Sequence, residues 1–169
     1  ALEQIQATGR EALAEMRRML GVLRDEQHDV DLSPQPTMND LDHVIQHCLD
    51  SGIPTELIVE GDRPPRAAGA EVTGYRIVQE ALTNVIKHAG RPVRAVVRVT
   101  YAPEMIRVEI TDDGLGTTTE QLRTTIGHGI VGMRERVELF RGSLQAGPRP
   151  GGGFRVAATS PIDGLTGAA

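Results

Sequence analysis

Apolar and small residues recur at alternating intervals of three and four over the first 24 residues, the pattern of a heptad seam along a helix. The seam positions are Leu2, Ile5, Gly9, Ala12, Met16, Met19 and Leu23. A helix of this length has no partner within its own segment, so we expect it to pack on another helix, from a second chain or from upstream sequence. The alternative is that it folds onto the domain that follows.

After a polar, proline-containing linker, helical and strand patterns alternate along the chain. The expected elements are a helix capped by Thr37 or Asn39, a strand at 56–60, a helix at 67–89, a hairpin around Pro103, a helix at about 130–140, and strands at 143–145 and 154–159. We therefore expect an α+β fold. It would be a two-layer α/β sandwich with a mixed sheet of about five strands, preceded by one long bundle-forming helix.

The same patterns predict three parts in the 169-residue chain: a helix and linker at 1–30, a domain at 31–162, and a tail at 163–169. The chain opens inside a helical pattern rather than with Met, so we expect a longer parent protein with room for membrane segments upstream. We expect no membrane contact by this portion, because it contains no apolar run long enough to span a bilayer.

The amino-acid composition argues against some binding partners and indicates a cellular compartment. A net charge of −5 and 2% aromatic residues argue against nucleic acid as a partner. The single cysteine, Cys48, excludes an internal disulfide and suits a reducing compartment, so we expect a cytoplasmic location.

One face of the predicted helix at 67–89 carries groups suited to a nucleotide and its metal. Glu80 and Asn84 are four residues apart, and Lys87 and His88 follow one turn later. Mg²⁺ bound to phosphates needs only one or two protein oxygens, and phosphates need nearby cations or backbone N–H groups. Such residues are also common on solvated helix faces, so the pattern alone leaves both interpretations open.

Two glycine-rich segments add more specific chemistry. Asp112 ends an apolar strand and is followed by Gly114 and Gly116, so its carboxylate could accept a hydrogen bond from an exocyclic amine such as that of adenine. Further on, Gly127, His128 and Gly129 precede a predicted helix whose N–H groups could face phosphates. The match of residues 127–132 to the dinucleotide fingerprint lacks the strand that this fingerprint requires before it.

Taken together and in this order, three segments resemble the Bergerat-type ATPase domain of bacterial sensor histidine kinases. They are residues 80–89 (EALTNVIKHA), 112–116 (DDGLG) and 127–136 (GHGIVGMRER), and they resemble most closely the subfamily that partners LuxR/NarL-type response regulators. The resemblance covers roughly residues 38–162, and the heptad helix resembles the second helix of that family's dimerisation and histidine-phosphotransfer bundle.

The resemblance implies a role for each matching residue. Asn84 would bind Mg²⁺, and Glu80, as the catalytic residue, would hold a metal-bound or activating water. Asp112 would recognise adenine, and residues 117–125 would form a lid. The remaining residues implied to contact ATP are Lys87, His88, Gly114, Gly116, Gly127, His128, Gly129, Ile130, Val131, Gly132 and Met133. One residue departs from the pattern of the wider ATPase superfamily. Many members carry a Gly-Thr pair near the end, whereas here Gly153 is followed by Phe154.

The resemblance also implies a transferase whose acceptor lies outside this sequence. The phospho-accepting histidine of the family lies in the first bundle helix, ahead of Ala1, so we expect ATP binding without autophosphorylation. The implied partners are the chain's own phosphotransfer bundle, a LuxR/NarL-type response regulator, and a second copy in the full-length protein. The alternatives are an ATP-driven clamp or hydrolase, a serine kinase of the anti-sigma-factor type, and a non-catalytic dimerisation module.

Overall fold

The structure is a computed structural model of the chain, and it describes residues 35–65, 67–90, 92–115 and 127–162. The described residues from Pro36 onward belong to the second of the two compact units into which the chain divides. The heptad helix, the segment 117–125 and the tail at 163–169, all predicted from the sequence, lie outside the described residues.

Three helices and five strands make up the described part. The helices are α1 (Leu41–Asp50), α2 (Ala68–His88) and α3 (Gly127–Leu139), and the strands are β1 (Thr55–Glu60), β2 (Ala95–Ala102), β3 (Met105–Asp112), β4 (Ser143–Pro148) and β5 (Phe154–Pro161). The strands form one sheet in the order β1-β2-β3-β5-β4. Strands β1 and β2 are parallel and the other pairs antiparallel, which confirms the predicted mixed sheet.

The helices cover one face of the sheet, and the core lies between the two layers. Because side chains alternate across a strand, every second residue of β2 and β3 points into this core, including Val97, Val99 and Val108. The opposite face carries charges. Arg98 of β2 pairs with Glu60 of β1 at 2.6 Å. Arg155 of β5 pairs with Glu109 of β3 at 2.5 Å.

Several predicted boundaries are confirmed, but the start of α3 and the ends of β4 and β5 are not; β5 runs to Pro161 rather than to residue 159. Thr37 is an N-cap, as expected, and its side chain accepts a hydrogen bond from the Asn39 N–H at 3.4 Å. It caps a short 3₁₀ turn, Met38–Asp40, that leads into α1. Helix α3 begins at Gly127, three residues before the predicted start. Strand β4 continues through Gly147 to Pro148 because pairing with β5 outweighs the turn preference of these residues.

A polar cluster lies around the buried carboxylate of Glu71 near the N-terminal end of α2. The guanidinium of Arg63 donates to both carboxylate oxygens of Glu71, and it donates to the Asn39 side-chain oxygen at 2.5 Å. The Glu71 side chain is only 4% exposed whereas that of Arg63 is 40% exposed. The cluster ties the loop after β1 to α2 by compensating a buried charge.

Within the described ranges, no helix has the length and hydropathy to cross a bilayer.

Arg63→Met should lower the free energy of unfolding by about 1–3 kcal/mol, because the Glu71 carboxylate stays buried without its partner. The double variant Arg63→Met/Glu71→Met should recover part of the loss. Urea denaturation of the double-mutant cycle measures both. Arg98→Met is the matched control, and it should cost at most about 1 kcal/mol because its pair with Glu60 is exposed. Equal losses for the two arginines would contradict this account.

Candidate functional site

The C-terminal half of α2 forms one wall of the candidate site. Glu80 and Asn84 lie one turn apart on the same helix face, and both side chains are half-buried. Lys87 is exposed and His88 half-buried in the last turn of the helix. The carboxylate, amide and cationic groups therefore follow one another along the helix in the order predicted.

The first turn of α3 packs directly against this wall. A Cβ atom placed on Gly129 would lie 2.5 Å from Glu80 Oε1 and 3.4 Å from Asn84 Nδ2. Only a residue without a side chain fits there while Glu80 keeps its position. The structure thus brings Gly129 against Glu80 and Asn84, each of which lies more than 40 residues before it in the sequence. It also places the first turn of a helix, whose N–H groups have no partner within the helix itself, beside a carboxylate and an amide.

Asp112 lies at the end of β3 and is 6% exposed. The Gly114 N–H donates to Asp112 Oδ1 at 2.9 Å, and the Phe154 N–H also donates to this carboxyl. Burial raises the pKa of Asp112, and the two backbone hydrogen bonds oppose that rise. The carboxylate is thus held by the main chain in a poorly solvated position.

The end of β3 is fixed to the end of α2. The Leu115 N–H donates to the Ala89 carbonyl oxygen at 3.0 Å, and a Cβ atom on Gly114 would overlap the main chain of Ala89. Ala89 is five residues beyond Asn84, about 7.5 Å along the helix axis. This contact therefore brings the strand end that carries Asp112 to the end of the helix that carries Glu80 and Asn84.

The turn between β4 and β5 closes over the same strand end. Gly153 has φ +82°, and a Cβ atom there would overlap the main-chain carbonyl of Asp112. Arg149 Nη1 donates to the same carbonyl oxygen at 3.1 Å. Sequence reasoning missed both residues. Gly153 stood out in the sequence only through the glycine run and the Phe154 that follows it, and neither indicated a contact with Asp112. Nothing in the pattern set Arg149 apart from other surface arginines.

Residues 130–133, which follow Gly129, do not form one continuous surface. Met133 is 1% exposed and belongs to the core, and Ile130 packs against that core. Val131 is exposed, and a Cβ atom on Gly132 would have no neighbour within 4 Å. The ATP contacts expected of these four residues stay predictions.

Part of the predicted site lies outside the described residues. Gly116 is among these, and of Gly127 and His128 only the helical backbone is described. Across the described ranges, no three His, Cys, Asp or Glu side chains converge to form a metal centre. Among the described residues of this helix face, the Asn84 amide and the Glu80 carboxylate are the oxygen donors that could hold a metal. Such a site suits a cation that keeps waters and takes further ligands from phosphates.

Residues 69–164 match the family described as histidine kinase-, DNA gyrase B-, and HSP90-like ATPase. The chain belongs to this family.

Its relatives are sensor histidine kinases. The sensor histidine kinase YxjM of Bacillus subtilis is 30% identical over 163 residues, which are 95% of this chain and 37% of YxjM. The histidine-protein kinase/phosphatase DegS of Brevibacillus brevis is 32% identical over 152 residues, 89% of this chain and 38% of DegS. The chain thus spans less than two fifths of the length of either relative.

Solved structures of histidine kinase domains share the fold. The catalytic domain of histidine kinase ThkA superposes with a TM-score of 0.59 at 15% identity, covering 75% of this chain and 93% of that domain. The histidine kinase domain from Erythrobacter litoralis superposes with a TM-score of 0.56 at 20% identity, covering 81% of this chain and 69% of that one. The resemblance inferred from the three sequence segments is therefore confirmed.

The contact between Gly129 and Glu80 can be tested by stability alone. Gly132→Ala, in open space on the same helix, should raise the free energy of unfolding by about 0.5–1 kcal/mol through helix propensity. Gly129→Ala should gain less, because Glu80 must move away. In a Glu80→Ala background, Gly129→Ala should become as stabilising as Gly132→Ala. Thermal unfolding measures all of these, and a Gly129→Ala effect independent of Glu80 would contradict the contact.

Proposed function

We propose that this chain is the ATP-binding catalytic region of a sensor histidine kinase, which donates the γ-phosphoryl group of ATP to a histidine upstream of Ala1. The observation that carries the proposal is the packing of Gly129 against Glu80 and Asn84. It sets a helix N-terminus beside the oxygen donors of α2 in a chain that belongs to an ATPase family. Phosphates and their cation need both kinds of group at one place.

In this proposal the Asn84 side-chain oxygen is the protein ligand of Mg²⁺, and Glu80 holds a metal-bound or activating water. When bound, the cation neutralises charge on the phosphates. Lys87 and His88 lie near the phosphates at the end of the same helix. Because phosphoryl transfer leaves little covalent work to the protein, these side chains act by positioning and charge.

Asp112 selects the base in the same proposal. Its buried carboxylate accepts a hydrogen bond from the exocyclic amine of adenine. Guanine presents a carbonyl oxygen in the corresponding place, so the same carboxylate would repel GTP. Burial supports this role, because a hydrogen bond to a charged group is stronger where water is excluded.

The acceptor and the later partners complete the proposal. The phosphoryl group passes from ATP to a histidine of the dimerisation bundle, and then to an aspartate of a LuxR/NarL-type response regulator. The parent protein acts as a homodimer, with this domain in the cytoplasm. The serine-kinase alternative has less support, because the chain's relatives are sensor histidine kinases.

Calorimetric titration of this chain tests the proposal as a whole. ATP should bind with an affinity that depends on Mg²⁺, and GTP should bind far more weakly. A nonhydrolysable ATP analogue should bind as ATP does, because binding needs no transfer step. Equal binding of ATP and GTP, or no binding of either, would contradict the assignment of the site.

Asn84→Ala should abolish the Mg²⁺ dependence of ATP binding, because it removes the protein oxygen on the cation. Asn39→Ala is the matched control, since Asn39 bonds to Arg63 in the polar cluster at the other end of α2. Titration of both variants with and without Mg²⁺ measures the effect. The metal assignment fails if Asn84→Ala retains the Mg²⁺ dependence of the unaltered chain.

Adenine selection should weaken in mild acid, because the pKa of Asp112 is raised by burial and the protonated carboxyl is a poorer acceptor. The loss should appear as pH falls through this raised pKa, above the range of an ordinary aspartate. The measurement is the ratio of affinities for ATP and purine riboside triphosphate, from about pH 8 down to about pH 5. Titration of the phosphates cancels in this ratio. Asp112→Asn should give a low ratio at every pH, and a flat ratio in the unaltered chain would contradict the role of Asp112.

A further inference from the structure

The turn between β4 and β5 is closed by its own main-chain hydrogen bonds and lies over the end of β3. Within the turn, the Arg149 N–H donates to the Gly153 carbonyl at 3.0 Å, and the Gly152 N–H donates to the Arg149 carbonyl at 3.1 Å. Gly153 holds a positive φ that residues with side chains rarely adopt. Its missing side chain lets the turn approach the main-chain carbonyl of Asp112.

The side chain of Arg149 leaves this turn and reaches Asp112. Its Nη1 donates to the Asp112 carbonyl oxygen at 3.1 Å, so it fixes the peptide plane next to the Cα atom that carries the carboxyl. Burial is the largest influence on the pKa of this carboxyl and raises it. The charged groups of the described residues that act on it are Asp113, which also raises the pKa, and Arg149, which lowers it.

We propose that Arg149 is a positioning residue for Asp112, and that it sets how strongly the site prefers adenine over a base without the exocyclic amine. This inference rests on the proposed role of Asp112 in adenine binding. Arg149 does not touch the base. It acts by fixing the orientation of the strand end and by favouring the charged form of the carboxylate, which is the better acceptor.

The fold itself does not depend on this side chain. The turn is already closed by its own main-chain bonds, and β4 and β5 pair up to Pro148 and Phe154 on either side of it. Arg149 is exposed apart from its bond to Asp112. A substitution should therefore leave the chain folded and change base selection.

The test measures the affinity ratio of ATP to purine riboside triphosphate in Arg149→Met. The ratio should fall by roughly three- to fivefold, a moderate effect because the guanidinium is partly solvated. Arg149→Lys keeps the positive charge and should lose less. The acid-side fall in the ratio should move to higher pH in Arg149→Met, because the carboxyl loses a favourable charge; a purely structural role of the turn would not cause such a shift.

Arg155→Met is the matched control, since Arg155 lies on the adjacent strand but pairs with Glu109 on the outer face of the sheet. Its ratio should equal that of the unaltered chain. The inference is overturned if Arg149→Met keeps the full ratio while Asp112→Asn loses it. If Asp112→Asn also keeps the ratio, the adenine assignment falls and this inference falls with it.

Discussion

The candidate site depends on a main-chain contact between the end of β3 and the end of α2. The Leu115 N–H bonds to the Ala89 carbonyl, and Gly114 lies against the same residue with no room for a side chain. Without this contact, the buried carboxylate on the sheet and the amide and carboxylate on the helix would belong to separate surfaces. The bond also satisfies a carbonyl at the end of α2, where the helix leaves its last carbonyls without partners.

In the described part of this domain, the buried carboxylates of Glu71 and Asp112 are stabilised in different ways. Glu71 is held by an arginine fork, which neutralises its charge and leaves it no free acceptor on the side of that fork. Asp112 is held by backbone N–H groups, which orient the carboxyl without neutralising it. The first arrangement suits a structural tie. The second keeps a charged acceptor available where water is largely excluded. Burying that charge lowers the stability of the fold, as is typical of binding sites.

The sequence alone predicts most of the architecture, because strands and helices here follow their hydrophobic periods closely. It also predicts Glu80, Asn84 and Asp112 as candidates, since each sits at a regular position on a helix face or a strand end. It fails where tertiary contact decides. Helix α3 starts at Gly127 although glycine is a poor helix former, and a side chain at Gly129 would meet the Glu80 carboxylate in its present position. Arg149 could not be predicted, because its partner is a main-chain carbonyl 37 residues away, and every residue carries such a carbonyl whatever its type.

The charged outer face of the sheet also opposes one misalignment of its strands. In the observed register Arg98 lies opposite Glu109, and Glu109 bonds to Arg155 on the next strand. A slip of two residues between β2 and β3 in one direction would keep every apolar side chain on the core face, but it would set Arg98 opposite Arg107. Hydrophobic burial cannot distinguish these two alignments, whereas like charges facing each other penalise the wrong one. The solvated face thus adds to the accuracy of folding, and it does so at the strand whose last residue is Asp112.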